Sequence, residues 1–241
     1  MHPLLEALVN LFFPARPGCR LCGSVSQEEI CSLCRAWLAA WAKQPHCQVC
    51  GRPLTTGSQH ISLCSGCHRQ RPPFDLARAV GPYEGSLRQA IHQLKFKGRK
   101  SLAPLLASLM LETIQQHPQF LQCAAILSVP LSRQRQWERG FNQAELLAGE
   151  VARGLKLPLL SGVLIKKKET PPQTGLHRDQ RKQNLKDAFQ IKASVVDIQG
   201  QNLLLIDDVF TTGSTASAIV ETLKAAGAGK IFVITLANAG K

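Results

Sequence analysis

The sequence predicts an α/β fold: a mostly parallel sheet flanked by helices, preceded by a small cysteine-rich section. Three observations carry this expectation. Eight of the nine cysteines lie before residue 68, in four C-x-x-C pairs, and only Cys123 lies beyond. Further along, short apolar runs alternate with stretches of helical period, as in a mostly parallel sheet with crossover helices. Between the two, "CSGCHRQRPPFD" ends the cysteines at Pro72-Pro73. A proline pair resists helix and marks a connection. We expect a domain boundary there, with residues 1–73 as an N-terminal helix and cysteine section and residues 74–241 as the α/β domain.

The elements follow in order. "MHPLLEALVNLFFPARPGC" reads as a short amphipathic helix. Its apolar run is too short to span a bilayer and is broken by Glu6 and Pro14. It lacks a basic leading region and a small-residue cleavage site, so a signal peptide is not expected. "LARAVGPYEG" is a strand and turn. "SLRQAIHQLKFKG" places Leu87, Ile91 and Leu94 at helical spacing and stops at Gly98. "SLAPLLASLMLETIQQH" is a second helix, ended before Pro118. "AAILSVP" is a buried strand, "FNQAELLAGEVARGL" a helix and "GVLIKKK" a strand. Residues Glu169 to Lys186 form a long polar loop, and loops of this length inside a compact domain are usually functional or disordered. "AFQIK" and "NLLLIDD" are strands, "STASAIVETLKAAG" a helix stopped by Gly227, and "KIFVITLA" the last strand.

Each cysteine pair, Cys19/Cys22, Cys31/Cys34, Cys47/Cys50 and Cys64/Cys67, has the spacing of a metal knuckle. A glycine trails the first and third pairs, in "CRLCG" and "CQVCG". That repeat suggests two structural zinc sites of four thiolates each: Cys19, Cys22, Cys31 and Cys34, then Cys47, Cys50, Cys64 and Cys67. Spacing leaves crossed pairing open. A section this short cannot build a core alone, and closed zinc sites supply the folding energy. Metal-holding thiolates suit a reducing compartment, so the expected location is the cytoplasm.

The most informative stretch is "LLLIDDVFTTGST", Leu203 to Thr215. An apolar run reads as a buried parallel strand, and ligands of open α/β sheets bind beyond the carboxyl ends of strands. Asp207 and Asp208 sit at that expected end. Adjacent carboxylates need a cation, a hydroxyl-rich ligand or solvent. Thr211, Thr212, Gly213, Ser214 and Thr215 then lead into a helix N-terminus, where amides and hydroxyls cradle an anion. A sugar phosphate fits both halves. The bland reading is an exposed strand end with an ordinary Ser/Thr cap.

These residues resemble the phosphoribosyl pyrophosphate (PRPP) motif of type I phosphoribosyltransferases. With the cysteine section in front, and with "SVPLSRQRQWERGFNQAELLA", "PPQTGLHRDQRKQNLKDAF" and "LKFKG", the chain resembles the ComF/GntX family over nearly its whole length. The resemblance implies a type I phosphoribosyltransferase-like domain behind a double zinc ribbon, and a role in competence and the use of external DNA. It implies that Asp207 and Asp208 bind the ribose hydroxyls, directly or through Mg²⁺, and that residues Thr211 to Thr215 hold the 5-phosphate. It places Pro130, Leu131, Ser132 and Arg133 near the diphosphate, adds charge from Arg139, and makes Gln173, Arg178 and Arg181 lid residues. Of these, Asp207, Asp208, Arg133, Arg139, Arg178 and Arg181 are the implied catalytic set. An active transferase with an unknown acceptor is the alternative to a binding module. No glutamine-hydrolysing cysteine is evident, because Cys123 lies in an apolar run, and Phe210 is as well suited to packing as to stacking.

The net charge of +13 favours anionic partners. Leu131 to Lys192 holds 13 Lys/Arg against 6 Asp/Glu, so the excess borders the expected site. In "KFKGRK", Phe96 sits among Lys95, Lys97, Arg99 and Lys100, a mixture that suits single-stranded DNA; a solvated basic face with Phe96 in the core is the plain alternative. The expected partners are single-stranded DNA, PRPP or a related nucleotide, and proteins of the DNA-uptake machinery, with membrane association only through such partners.

Overall fold

The structure is a computed structural model that describes residues 18–54, 62–167, 188–192 and 197–240. The expected N-terminal helix, and the lid with Gln173, Arg178 and Arg181, lie outside the described residues.

The α/β half is built on four parallel strands: β1 (Leu76–Pro82), β2 (Ala125–Ser128), β5 (Leu203–Phe210) and β6 (Ile231–Asn238). Their order across the sheet is β1-β6-β5-β2. Both faces are covered, so the central strands read as continuous apolar runs. Residues alternate between the faces with period two. Leu204, Ile206, Phe232 and Ile234 join one buried cluster, and Leu203, Leu205, Ile231 and Val233 join the other.

Over the first face lie α3 (Gly85–Phe96), α4 (Ala103–Gln115) and α6 (Gln143–Leu155). They contribute Leu87, Ile91 and Leu94, then Leu106 and Met110, then Leu147 and Val151. Burying each such Leu or Ile stabilises the fold by roughly 1.5–3 kcal/mol. Over the second face lies α7 (Ser214–Ala225), through Ile219, Val220 and Leu223, beside a small antiparallel pair, β3 (Leu164–Lys166) with β4 (Phe189–Ile191). The chain therefore leaves β2 toward one face and β5 toward the other. That divergence opens a crevice at the carboxyl ends of β2 and β5.

Three helices were not expected from the sequence. The stretch between β2 and the next expected helix contains α5 (Arg133–Arg139), and α1 (Ser32–Ala42) grows directly out of the second cysteine pair. α5 has no buried residue, so it carries no apolar stripe to read. A short α2 (Ser65–Arg69) follows in the same way from Cys64. No helix among the described residues is long and apolar enough to cross a membrane.

The cysteine section packs on the edge strand β1 from both sides. The Ala77 amide donates to the Val49 carbonyl at 2.7 Å, so the third knuckle runs along the strand edge. An uncovered edge would be a template for unwanted pairing. At Gly51 (φ +66) an added Cβ would lie 2.6 Å from the Ala77 carbonyl, so that approach admits only glycine. Arg78 donates to the Cys47 and Gln48 carbonyls at 3.3 Å each. On the other face Leu38 of α1 and Leu87 of α3 both close on Gly81, and Cys34 Sγ lies 3.6 Å from Ser86 Oγ.

Candidate functional site

The two metal centres form as successive units. Cys19, Cys22, Cys31 and Cys34 bring their sulfurs together, and so do Cys47, Cys50, Cys64 and Cys67, each set within 4.8 Å. Crossed pairing is thereby excluded. Tetrahedral zinc with Zn–S near 2.3 Å places its sulfurs about 3.8 Å apart. The Cys19–Cys34, Cys22–Cys31 and Cys50–Cys64 separations are 3.8, 3.7 and 3.6 Å. Without a cation this crowding is costly: burial first, then neighbouring sulfurs, push Cys50 up to about 12. Burial pushes Cys34 up to about 12 as well, against a hydrogen bond to Ser86. Four thiolates at this spacing fit a divalent soft-ligand metal such as zinc.

The crevice is built from four pieces. First is β5 itself, which does not stop at the acids: it continues through Asp207 and Asp208 to Phe210. The ladder holds because Val209 and Phe210 still pair with Ala237 and Asn238. The pleat therefore sends neighbouring carboxylates to opposite faces. This explains how two like charges coexist side by side in a strand.

Asp208 shares the face of Leu204 and Ile206. It is 4% exposed. Lys95 Nζ lies 2.7 Å from its Oδ1, and Gln143 Nε2 donates to its Oδ2 at 2.6 Å. Asp207 shares the face of Leu203 and Leu205, toward α7. It is half-buried, and its Oδ1 accepts from the Asp208 amide at 2.8 Å. Burial, then the Asp208 charge, raise its pKa from the usual carboxylate range to about 7; Lys95 and the Asp208 amide only partly offset this.

The second piece is the loop Thr211 to Thr215. Gly213 is the N-cap of α7 in the left-handed conformation, φ +78. An added Cβ there would lie 2.7 Å from the Phe210 ring, so glycine is required by both angle and contact. Phe210 is buried against Phe74 at 5.9 Å, edge to face, which makes it the floor of the loop. The Thr212 and Ser214 hydroxyls share a 2.8 Å hydrogen bond.

The third piece is the turn after β2. The Val129 amide donates to the Ile206 carbonyl at 2.9 Å, which sets Pro130 and Leu131 beside the acids' end of β5. Ser132 is buried and Arg133 is exposed. The fourth piece is the start of α6. Asn142 caps it, accepting from the Ala144 amide at 3.0 Å, while its side-chain NH2 donates to the Val129 carbonyl. Arg139 donates to Gln143 Oε1 at 3.0 Å, and its guanidinium lies 4.9 Å from the Phe96 ring centre.

Asp208, Gln143, Arg139 and Lys95 thus belong to one side-chain network, which reaches Asp207 only through the Asp208 backbone amide. The basic stretch expected to act as a unit is divided. Lys95 turns inward to Asp208, whereas Phe96 (60% exposed), Lys97, Arg99 and Lys100 face outward. Lys100 Nζ lies 4.9 Å from the Phe141 ring. Trp137 on α5 is 86% exposed. Sequence reasoning missed Gln143, Asn142 and the inward turn of Lys95. The available signal was two adjacent amides, "NQ", opening an otherwise apolar helix face.

Comparison with known proteins gives two domain matches. Residues 8–68 match the family described as double zinc ribbon domain, and residues 142–241 match the phosphoribosyl transferase domain. Over whole chains, 236 residues are 35% identical to competence protein F of Haemophilus influenzae, covering 96% of this chain and 100% of that protein. The DNA utilization protein YhgH of Escherichia coli O6:H1 is 35% identical over 218 residues, 89% of this chain and 92% of that one. Competence protein ComFC of Bacillus subtilis is 27% identical over 223 residues, 86% of this chain and 84% of that one. The chain belongs to the family of competence protein F and DNA utilization protein YhgH, with a double zinc ribbon ahead of a type I phosphoribosyltransferase-like domain.

Proposed function

We propose that this protein handles incoming single-stranded DNA in the cytoplasm and that its α/β half binds PRPP or a related nucleotide at the crevice. One observation carries the ligand half: Asp207 and the Gly213 loop lie on the α7 side of a single strand end, a sugar grip next to a phosphate grip. Asp207 Oδ2 has no protein partner among the described residues, so it is available to ribose hydroxyls or to a hard cation. Mg²⁺, when bound, neutralises part of the diphosphate charge. The chain's own share is Asp207 toward the ribose, the Thr211–Thr215 loop toward the 5-phosphate, and the turn from Pro130 to Arg133 toward the diphosphate.

The DNA half is supported by the exposed Phe96, Trp137, Lys97, Arg99 and Lys100, since bases stack on exposed rings between cations. The names of its relatives point the same way. Proteins of the DNA-uptake machinery are the partners this reading implies, and any membrane contact runs through them. A second reading is an active phosphoribosyltransferase with an unknown acceptor, favoured by the domain match over residues 142–241.

Calorimetry with PRPP and Mg²⁺ tests the ligand half: binding is expected in the wild type and weakened at least tenfold in Asp207→Ala, roughly the loss of one charged hydrogen bond. No binding by the wild type refutes it. Affinity for a single-stranded oligonucleotide is expected to fall steeply with salt; a flat dependence refutes the DNA half. Pyrophosphate release with pooled acceptors, absent from Asp207→Ala, would establish the enzyme reading.

A further inference from the structure

The two acids are not equivalent, and the difference assigns work to residues outside the acid–loop motif. Asp208 has both carboxylate oxygens engaged, by Lys95 at 2.7 Å and Gln143 at 2.6 Å, on the face packed by α3 and α6. Asp207 faces the α7 side with one oxygen unengaged among the described residues.

The orientation of Gln143 is chemically fixed. Arg139 carries only donors, so the Gln143 atom that faces it at 3.0 Å must be the carbonyl oxygen. The NH2 group is therefore the end that meets Asp208. Gln143 and Asp208 are both buried, so this bond forms away from competing water. The Asp208 amide in turn donates to Asp207 Oδ1. A clamp from α3, α5 and α6 thereby ends on the backbone group that aims the ligand-facing acid.

We infer that Asp207 alone meets the sugar, and that Asp208, Gln143 and Lys95 are positioning residues that hold Asp207 and the strand end in place. This rests on the PRPP reading of the crevice. It predicts that Asp208 can be replaced if its place in the clamp is preserved, whereas Asp207 cannot.

The test is a polarity swap. Asp208→Asn alone sets an NH2 group against the NH2 of Gln143 and removes the charge facing Lys95. In D208N/Q143E the amide and the carboxylate trade sides. The amide oxygen still accepts from Lys95, its NH2 donates to the new carboxylate, and the negative charge stays in the clamp beside Arg139. PRPP affinity is expected to fall about tenfold in D208N and to return to within about threefold of wild type in D208N/Q143E, the coupling expected of a direct hydrogen-bonded pair. D207N is expected to stay weak even when combined with Q143E. Affinity for inorganic pyrophosphate alone is expected to be unchanged in D208N and D208N/Q143E; general damage to the fold would lower it too.

A double variant no better than D208N, with melting temperature and zinc content restored, would overturn the inference and make Asp208 a ligand contact. So would D208N binding PRPP as tightly as wild type. Wild type that ignores PRPP while still binding pyrophosphate would instead strike the sugar reading of the crevice, and this inference with it.

Discussion

The cysteine section and the α/β section are held by different means. In the first, eight thiols converge on two centres around a thin apolar filling. In the second, strands β5 and β6 are buried on both faces beneath helices, with no metal ligand set needed. Yet the two meet intimately along β1, where the third knuckle covers the strand edge and Arg78 ties it down. The contrast teaches that the metal section is more than a tag on the chain: it finishes an edge that the sheet leaves open.

The largest effect expected is from removing metal. Structural zinc contributes on the order of 10 kcal/mol per site to folding. A strong chelator should release about two zinc per chain and unfold the cysteine section. The Ala77 amide, bonded to Val49, should then exchange with solvent while the Leu204 and Leu205 amides, inside the sheet, stay protected. Hydrogen exchange read by residue checks this. Exchange of all three together would show that the sheet depends on the metal section throughout, erasing the contrast.

A smaller effect is expected from Arg78→Met, which keeps the stem and removes the donors to Cys47 and Gln48. Losing charged donors to carbonyls should cost about 1–3 kcal/mol, with zinc content retained. Chelator-driven zinc release should be faster from the second site than from the first. Equal release would mean that the knuckle holds without its tie to β1.

The smallest effect lies inside the α/β half and runs with pH. Asp207 titrates near 7 in the fold against 3.8 for an ordinary carboxyl. A raised carboxyl favours the folded state in its protonated form. That contribution is fully present below about pH 4 and is lost as pH rises through 7. Asp207→Asn, always neutral, should melt above wild type at pH 8 and close to it at pH 4. Gains at both pH values alike would point to a packing change rather than to the carboxylate. A site residue that costs stability when charged is what separates the crevice from the rest of its own domain.

Much of this was legible in the residues. The four knuckles, the strand–acid–loop motif and the alternation of strands and helices all rest on short-range spacing, and the structure carries them. Helix α5 was not legible, because "RQRQWER" buries nothing and has no stripe. The continuation of β5 past the acids was not legible either, since charged residues read as an end until their ladder with Ala237 and Asn238 is seen.

By itself the sequence determined which atoms could bind: eight thiols in pairs, two adjacent carboxylates, and a glycine loop at a helix start. Those follow from residue type and local geometry, which act over a few positions. Only the tertiary structure decided how they are used. It sorted the thiols into successive rather than crossed sets. It drew Lys95 and Gln143, from two distant helices, onto Asp208 and left Asp207 toward the loop. A buried charge must find partners wherever the packing brings them, and that choice is made by the three-dimensional arrangement of the sheet faces, which no local spacing encodes.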